Sequence, residues 1–205
     1  IESKKRVLAE SIQSINSQQK SIKNAIAQNQ NMIYKLKTDR AAYERAEREL
    51  ARQSANLQTM ISKNTGTASK VHVSSAAFLK PIAGRITSPF GWRTHPIFNS
   101  RTFHSGVDIG GPNYGNIVAS NSGKVIYSGW YGGYGKVVIL DHGVVNGQPT
   151  TTLYAHMSSI LVNNGQQVQK GQVIGKEGTT GYSTGPHCHF EVRINGKPNN
   201  PLNYI

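Results

Sequence analysis

Residues 1–63 contain no glycine and no proline, and the whole chain contains one cysteine, Cys188. A single cysteine excludes a disulfide within the chain, which suits the cytosol and equally an exported bacterial enzyme that is stable without bridges. No run of about 18 apolar residues occurs, so no membrane-spanning helix is predicted. No basic segment followed by an apolar one opens the sequence, so no secretory signal is read at its start. The first residue is Ile1 rather than Met, and the expectation is a trimmed piece whose signal peptide or membrane anchor has been removed. Acidic residues are scarce, 10 Asp and Glu against 23 Lys and Arg, for a net charge of +13. The excess is spread along the chain, with 12 basic against 6 acidic residues in 1–64 and 11 against 4 in 65–205. Such a balance implies a polyanionic neighbour, whether nucleic acid, anionic lipid or an acidic cell-wall polymer. No helix-turn-helix or aromatic ribonucleoprotein motif is present, so no nucleic-acid partner is expected and the anionic wall polymer ranks first.

The segment without glycine or proline is rich in Gln, Lys, Ala, Asn and Ser. Apolar residues recur every seven positions at Leu8, Ile15, Ile22, Leu36, Tyr43, Leu50 and Leu57, with Asn29 in the gap. A second row runs through Ile12, Gln19, Ile26, Ile33, Arg40, Glu47, Ser54 and Ile61. Alternating steps of four and three predict a coiled-coil helix over 1–63 with a partly polar seam, roughly 90 Å long. It needs a partner helix, either in a two-stranded coiled coil or in an antiparallel hairpin whose other arm precedes residue 1. Gly66 follows the last periodic residue as a helix-ending signal, and small polar residues predict a linker over 64–78.

From residue 79 onward the composition changes. All 8 prolines and all glycines but Gly66 lie there. Short β-branched and aromatic runs are predicted as strands at 85–86, 106–109, 117–119, 123–130, 136–141, 150–156, 168, 173–175 and 187–194. Asn146-Gly147 and Asn195-Gly196 are predicted type I′ turns. The fold class expected is therefore a long N-terminal helix followed by an all-β domain over 79–205.

Within that domain, His104-Ser105-Gly106-Val107-Asp108, Tyr154-Ala155-His156 and His187-Cys188-His189 bring four histidines and one aspartate into suggestive settings. His187 and His189 share one strand face, about 6.6 Å apart along the strand, which turns Cys188 toward the core. His104 and Asp108 are four apart in a segment too glycine-rich for a helix. On a flat strand they would lie about 13 Å apart, so a bend at Ser105-Gly106 is expected. Three such donors with one open position are the pattern of catalytic zinc, which leaves a water of lowered pKa on the metal, and two imidazoles remain for proton work. His72, in the linker, and His95 and His142, beside turns, carry the plainer reading of surface or structural residues.

The strings HSGVDI, YAHMS, SPFGWR and VQKGQVIGKEGTTGYSTGPHCHFEVRINGKPNNPLNYI together resemble the lysostaphin-like zinc metallopeptidases of family M23, or LytM domain, over about residues 79–205. The resemblance implies an antiparallel β metallopeptidase fold with a groove over the metal. It implies Zn2+ held by His104, Asp108 and His189, with His156 and His187 as catalytic histidines. Cys188 departs from the leucine frequent in the family, at a core-facing position. The implied activity is endopeptidase cleavage of peptidoglycan peptides, in wall remodelling or daughter-cell separation. The implied location is the bacterial cell wall or periplasm, after export, with a membrane anchor in a segment absent from this chain. The loops at 131–134 and 179–184 are expected to wall the groove, with Tyr131, Tyr134 and Tyr182 as candidate substrate contacts. The alternative is a non-catalytic coiled-coil activator of a separate wall amidase, a layout some relatives share. A third reading, an assembly protein working through its helix, leaves the metal set unexplained. The helix is expected to engage a partner helix or a membrane-associated regulator.

Overall fold

A computed structural model describes residues 2–65, 78–94, 99–111 and 114–205. His72, His95 and all but the ends of the expected linker lie outside them. The chain divides into two compact units, Ile1–Arg45 and Ala46–Ile205. One helix, α1, runs unbroken over Glu2–Thr65, as the absence of Gly and Pro and the supply of Ala, Gln, Lys, Glu and Arg require. An i,i+4 pair between Arg40 and Glu44 at 2.8 Å adds local support.

In the first unit Ile12, Ile15, Ile22 and Ile26 are exposed. Among the described residues α1 is the only α-helix. In the second unit the same heptad rows meet a β-sheet instead. Leu57 and Ile61 are buried against Tyr134, Val137, Ile139, Leu153 and Ala155, with Leu50 packed beside them. Burial of each such side chain contributes roughly 1.5–3 kcal/mol. Two of the polar seam residues find polar partners on the β domain: Glu47 lies 3.6 Å from Arg93, and Ser54 Oγ accepts from Arg193 at 2.8 Å. Residues that weaken a coiled coil thus serve the docking of the helix onto the sheet.

Thirteen strands follow among the described residues: β1 (Arg85–Ser88), β2 (Gly91–Thr94), β3 (Arg101–His104), β4 (Val107–Gly110), β5 (Asn116–Val118), β6 (Gly123–Trp130), β7 (Lys136–Val145), β8 (Gln148–Met157), β9 (Ser159–Ile160), β10 (Gln167–Val168), β11 (Val173–Lys176), β12 (Cys188–Ile194) and β13 (Lys197–Asn199). The main sheet has the order β1-β4-β12-β8-β7-β6-β10, with β13 on β12; β5-β11-β9 form a second sheet and β2-β3 a hairpin. Every pairing is antiparallel. Both predicted Asn-Gly turns are present. Asn146 and Gly147 have φ of 52° and 77°, and Asn195 and Gly196 of 51° and 76°, the left-handed pair that a type I′ hairpin needs.

The main sheet is buried on both faces, which is why Lys136–Asp141 reads as a nearly continuous apolar run. Val107, Ile109, Val138, Leu140, Tyr154, Cys188, Phe190 and Val192 point to one side, where Ile117 and Ile174 of the small sheet join them. The alternate residues point to the other side, into the cluster that contains Leu57 and Ile61. Asp108, His189, Glu191 and Arg193 alternate with these core residues along β4 and β12, so the candidate metal donors share a sheet face with the helix contact.

Candidate metal centre

Strand register assembles the site. His189 on β12 stands opposite Asp108 on β4 and Ala155 on β8. β3 ends at His104 and β4 begins at Val107, so the chain turns at Ser105-Gly106 as expected. The turn needs glycine: a Cβ at Gly106 would lie 2.4 Å from the Phe190 carbonyl oxygen. Cys188 is wholly buried in the core, and burial pushes its thiol well above the usual range, so it is neither ligand nor nucleophile.

His104 Nε2 lies 3.0 Å from His189 Nδ1, His189 Nδ1 lies 2.9 Å from Asp108 Oδ1, and His104 Nε2 lies 3.2 Å from Asp108 Oδ1. These three atoms form a triangle close to the edge of about 3.3 Å that a tetrahedral zinc with bonds of about 2.0–2.1 Å requires. The other ring nitrogens are committed elsewhere. His104 Nδ1–H donates to the Pro89 carbonyl at 2.8 Å, and His189 Nε2–H donates to Glu191 Oε1 at 3.1 Å. Each ring therefore turns a bare lone pair toward the shared point, where only a cation or a proton can satisfy both lone pairs and the carboxylate. Two imidazoles and one carboxylate suit zinc better than calcium or magnesium, which prefer all-oxygen sites.

The electrostatics agree. Burial alone would raise the Asp108 carboxyl, but hydrogen bonds with His104 and His189 outweigh it and hold the group ionised far below the usual carboxylate range. Burial alone would lower His189, yet Asp108 and Glu191 raise it to about 9. Without a cation among them, these carboxylates keep a proton on His189, and a metal ion must displace it.

His156 and His187 stand beside the triangle. Their rings are 4.8 Å apart, and His156 lies 5.9 Å from His189. His187 Nε2 is 3.6 Å from Asp108 Oδ1. His156 Nδ1–H donates to the Thr180 carbonyl at 2.7 Å and His187 Nδ1–H to the Gly185 carbonyl at 2.8 Å, leaving each Nε2 bare. Burial, then the neighbouring His189 and His187, lowers His156 to about 3. Its backbone has φ of 59°, a left-handed conformation costly for a side chain of this size and often found at functional positions. The side chains of Asp108 and His187 are 16% exposed against 7% for His104 and His189, so solvent reaches the donors from the Asp108 and His187 side.

The three tyrosines named from the sequence differ in placement. Tyr182 is exposed and follows Gly181, whose close approach to Gly133 joins the two predicted loops. Tyr131 is half-buried, its hydroxyl near the Gln53 carbonyl at 3.5 Å. Tyr134 is buried, and its hydroxyl donates to Glu191 at 3.1 Å, so it supports the site from within. His142 is also buried, between the Ser122 carbonyl and Thr152 Oγ1 at 2.8 Å each. Sequence reasoning missed Glu191, Arg193 and Ser105. A signal existed: His187, His189, Glu191 and Arg193 recur every second residue in a strand otherwise made of Cys188, Phe190, Val192 and Ile194.

Residues 102–201 match the family model "Peptidase family M23", and this chain carries a domain of that family. The DD-carboxypeptidase/endopeptidase Mpg of Neisseria meningitidis is 47% identical over 118 residues, 58% of this chain and 26% of that protein. The murein hydrolase activator NlpD of Salmonella dublin is 35% identical over 131 residues, 63% of this chain and 32% of that protein. The chain thus spans about a quarter to a third of the length of these curated relatives. A zinc containing peptidase from Vibrio cholerae has a similar structure, with a TM-score of 0.56 and 34% identity, covering 62% of this chain and 39% of that one. Zinc is accordingly the cofactor, and the family is one of metallopeptidases.

Proposed function

We propose that this chain is a zinc-dependent endopeptidase that hydrolyses peptide bonds in bacterial peptidoglycan, in wall remodelling or cell separation. One observation carries the reading: His104, Asp108 and His189 offer donor atoms within 4.8 Å of one another, and the His156 and His187 rings, 4.8 Å apart, stand beside them. Similarity to Mpg and to the zinc containing peptidase supports the reaction class, and similarity to the peptidoglycan DD-endopeptidase ShyA of Vibrio cholerae, 37% identical over 119 residues, supports the substrate class.

Zinc held by these three donors supplies Lewis acidity and brings the pKa of water down to about 7. The remaining chemistry belongs to the chain. His156, kept neutral by burial, orients the attacking water by accepting its hydrogen at Nε2. His187, nearer to Asp108 and to solvent, takes a proton at Nε2 and passes it to the leaving amine. The exposed Tyr182 ring contacts the peptide. The site of action is the cell envelope, after export; no described helix is long and apolar enough to cross a membrane.

Similarity to NlpD favours a second reading, activation of a separate amidase without cleavage. A complete donor set and two free imidazole nitrogens speak for the enzyme. Zinc-loaded chain incubated with purified peptidoglycan separates the readings. The enzyme releases new amino termini, detected by mass spectrometry and abolished by His187→Ala. Stimulation of an added amidase with no new termini would support the activator instead.

A further inference from the structure

The metal donors are tied to helix α1 by a chain of buried polar groups. Glu191 is fully buried. Its Oε1 accepts from Ser105 Oγ at 2.5 Å, from the Tyr134 hydroxyl at 3.1 Å and from His189 Nε2–H at 3.1 Å, while Oε2 accepts from Arg193 Nε at 2.5 Å. Four hydrogen bonds hold the carboxylate, which meets the His189 ring on the side away from the metal point. Arg193 is fully buried as well. Its Nη1 donates to the Ser54 and Gly196 carbonyls at 3.1 Å each, and its Nη2 donates to Ser54 Oγ at 2.8 Å. The helix therefore supplies two of the three acceptors beyond Glu191 that this guanidinium has. The neighbouring Gln53 reaches the same carboxylate by another route: its Oε1 accepts from Gly133 N–H at 2.9 Å, and the adjacent Tyr134 donates to Glu191.

The geometry points to Ser54, Arg193 and Glu191 as positioning residues for zinc: the end of α1, through this relay, fixes the tautomer and orientation of His189. The inference rests on the zinc-site reading above. A buried ion pair is a poor device for stability alone, because apolar residues of the same volume hold a core as well or better. This pair is instead aimed at the free ring nitrogen of a metal donor, where carboxylate partners set basicity and ring angle. Removing the helix contact leaves a buried guanidinium short of acceptors, loosens its grip on Glu191, and lets the His189 ring turn. Whatever lifts the last turns of α1 from the sheet therefore weakens zinc binding, which makes this helix a control element for the site.

The test uses the full chain and zinc itself, titrated in competition with a chromophoric chelator, together with visible spectra of the cobalt-substituted protein. Glu191→Gln should weaken zinc binding by about 10–100-fold, the usual effect of losing such a partner. Ser54→Ala, remote from the metal, should weaken it several-fold and shift the cobalt bands, and Ser54→Thr, which keeps the hydroxyl, should restore both. Wild-type affinity and an unchanged cobalt spectrum in Ser54→Ala would overturn the relay while leaving the zinc site standing. A wild-type chain that binds no zinc, or one whose zinc affinity survives His104→Ala, would overturn the site and the relay together.

Discussion

His156 shows how much one residue carries. Its ring is held neutral, one nitrogen is tied to Thr180, and its backbone sits at φ of 59°. Asparagine tolerates that conformation better than most residues, so His156→Asn should keep the backbone while removing the imidazole. We expect kcat to fall by about 10²–10⁴ with bound zinc and melting temperature nearly unchanged, measured side by side on one preparation. His142 makes a pH prediction. Burial lowers it to about 4, against the ordinary imidazole value of 6.5. A depressed histidine stabilises the fold fully above pH 6.5, and the contribution is lost as pH falls toward 4, because the unfolded chain takes up the proton first. The difference is on the order of 3 kcal/mol. Melting curves should show His142→Gln less sensitive than wild type across that window; equal sensitivity would remove His142 as a cause. Strand spacing together with the family resemblance named His104, Asp108 and His189 as candidate donors, and the structure brings these three side chains together. Ser54 was not, since it meets Arg193 across a separation of 139 residues, and no local period connects them.

At the scale of elements, the end of α1 belongs to the β domain. Leu57 is fully buried on the sheet, so Leu57→Ala should cost about 2–5 kcal/mol, read as a lowered denaturation midpoint. A cost below about 0.5 kcal/mol would mean that the helix does not hold this position in solution. The heptad pattern announced the helix, and its last turns pack on a sheet, because apolar residues at a and d spacing suit a sheet as well as a helix. The longer strands were legible where β-branched runs met Asn-Gly turns, and β6 was read with its observed bounds. The hairpin of β2 and β3 was missed. Gly91–Thr94 and Arg101–His104 are short, largely exposed and mixed in polarity, so neither alternation nor an apolar run marks them, yet β3 delivers His104.

For the whole molecule, the net charge of +13 has a measurable consequence. Retention on purified cell wall should weaken as salt screens the charges, and salt-independent retention would place recognition in the groove alone. Everything at this scale still turns on one cation joining three side chains drawn from different strands. Anomalous scattering at the zinc edge from crystals of the zinc-loaded chain tests that directly. We predict one peak about 2.0–2.2 Å from His104 Nε2, Asp108 Oδ1 and His189 Nδ1; no peak there, or a peak bound by other residues, would contradict the zinc site and the peptidase built upon it.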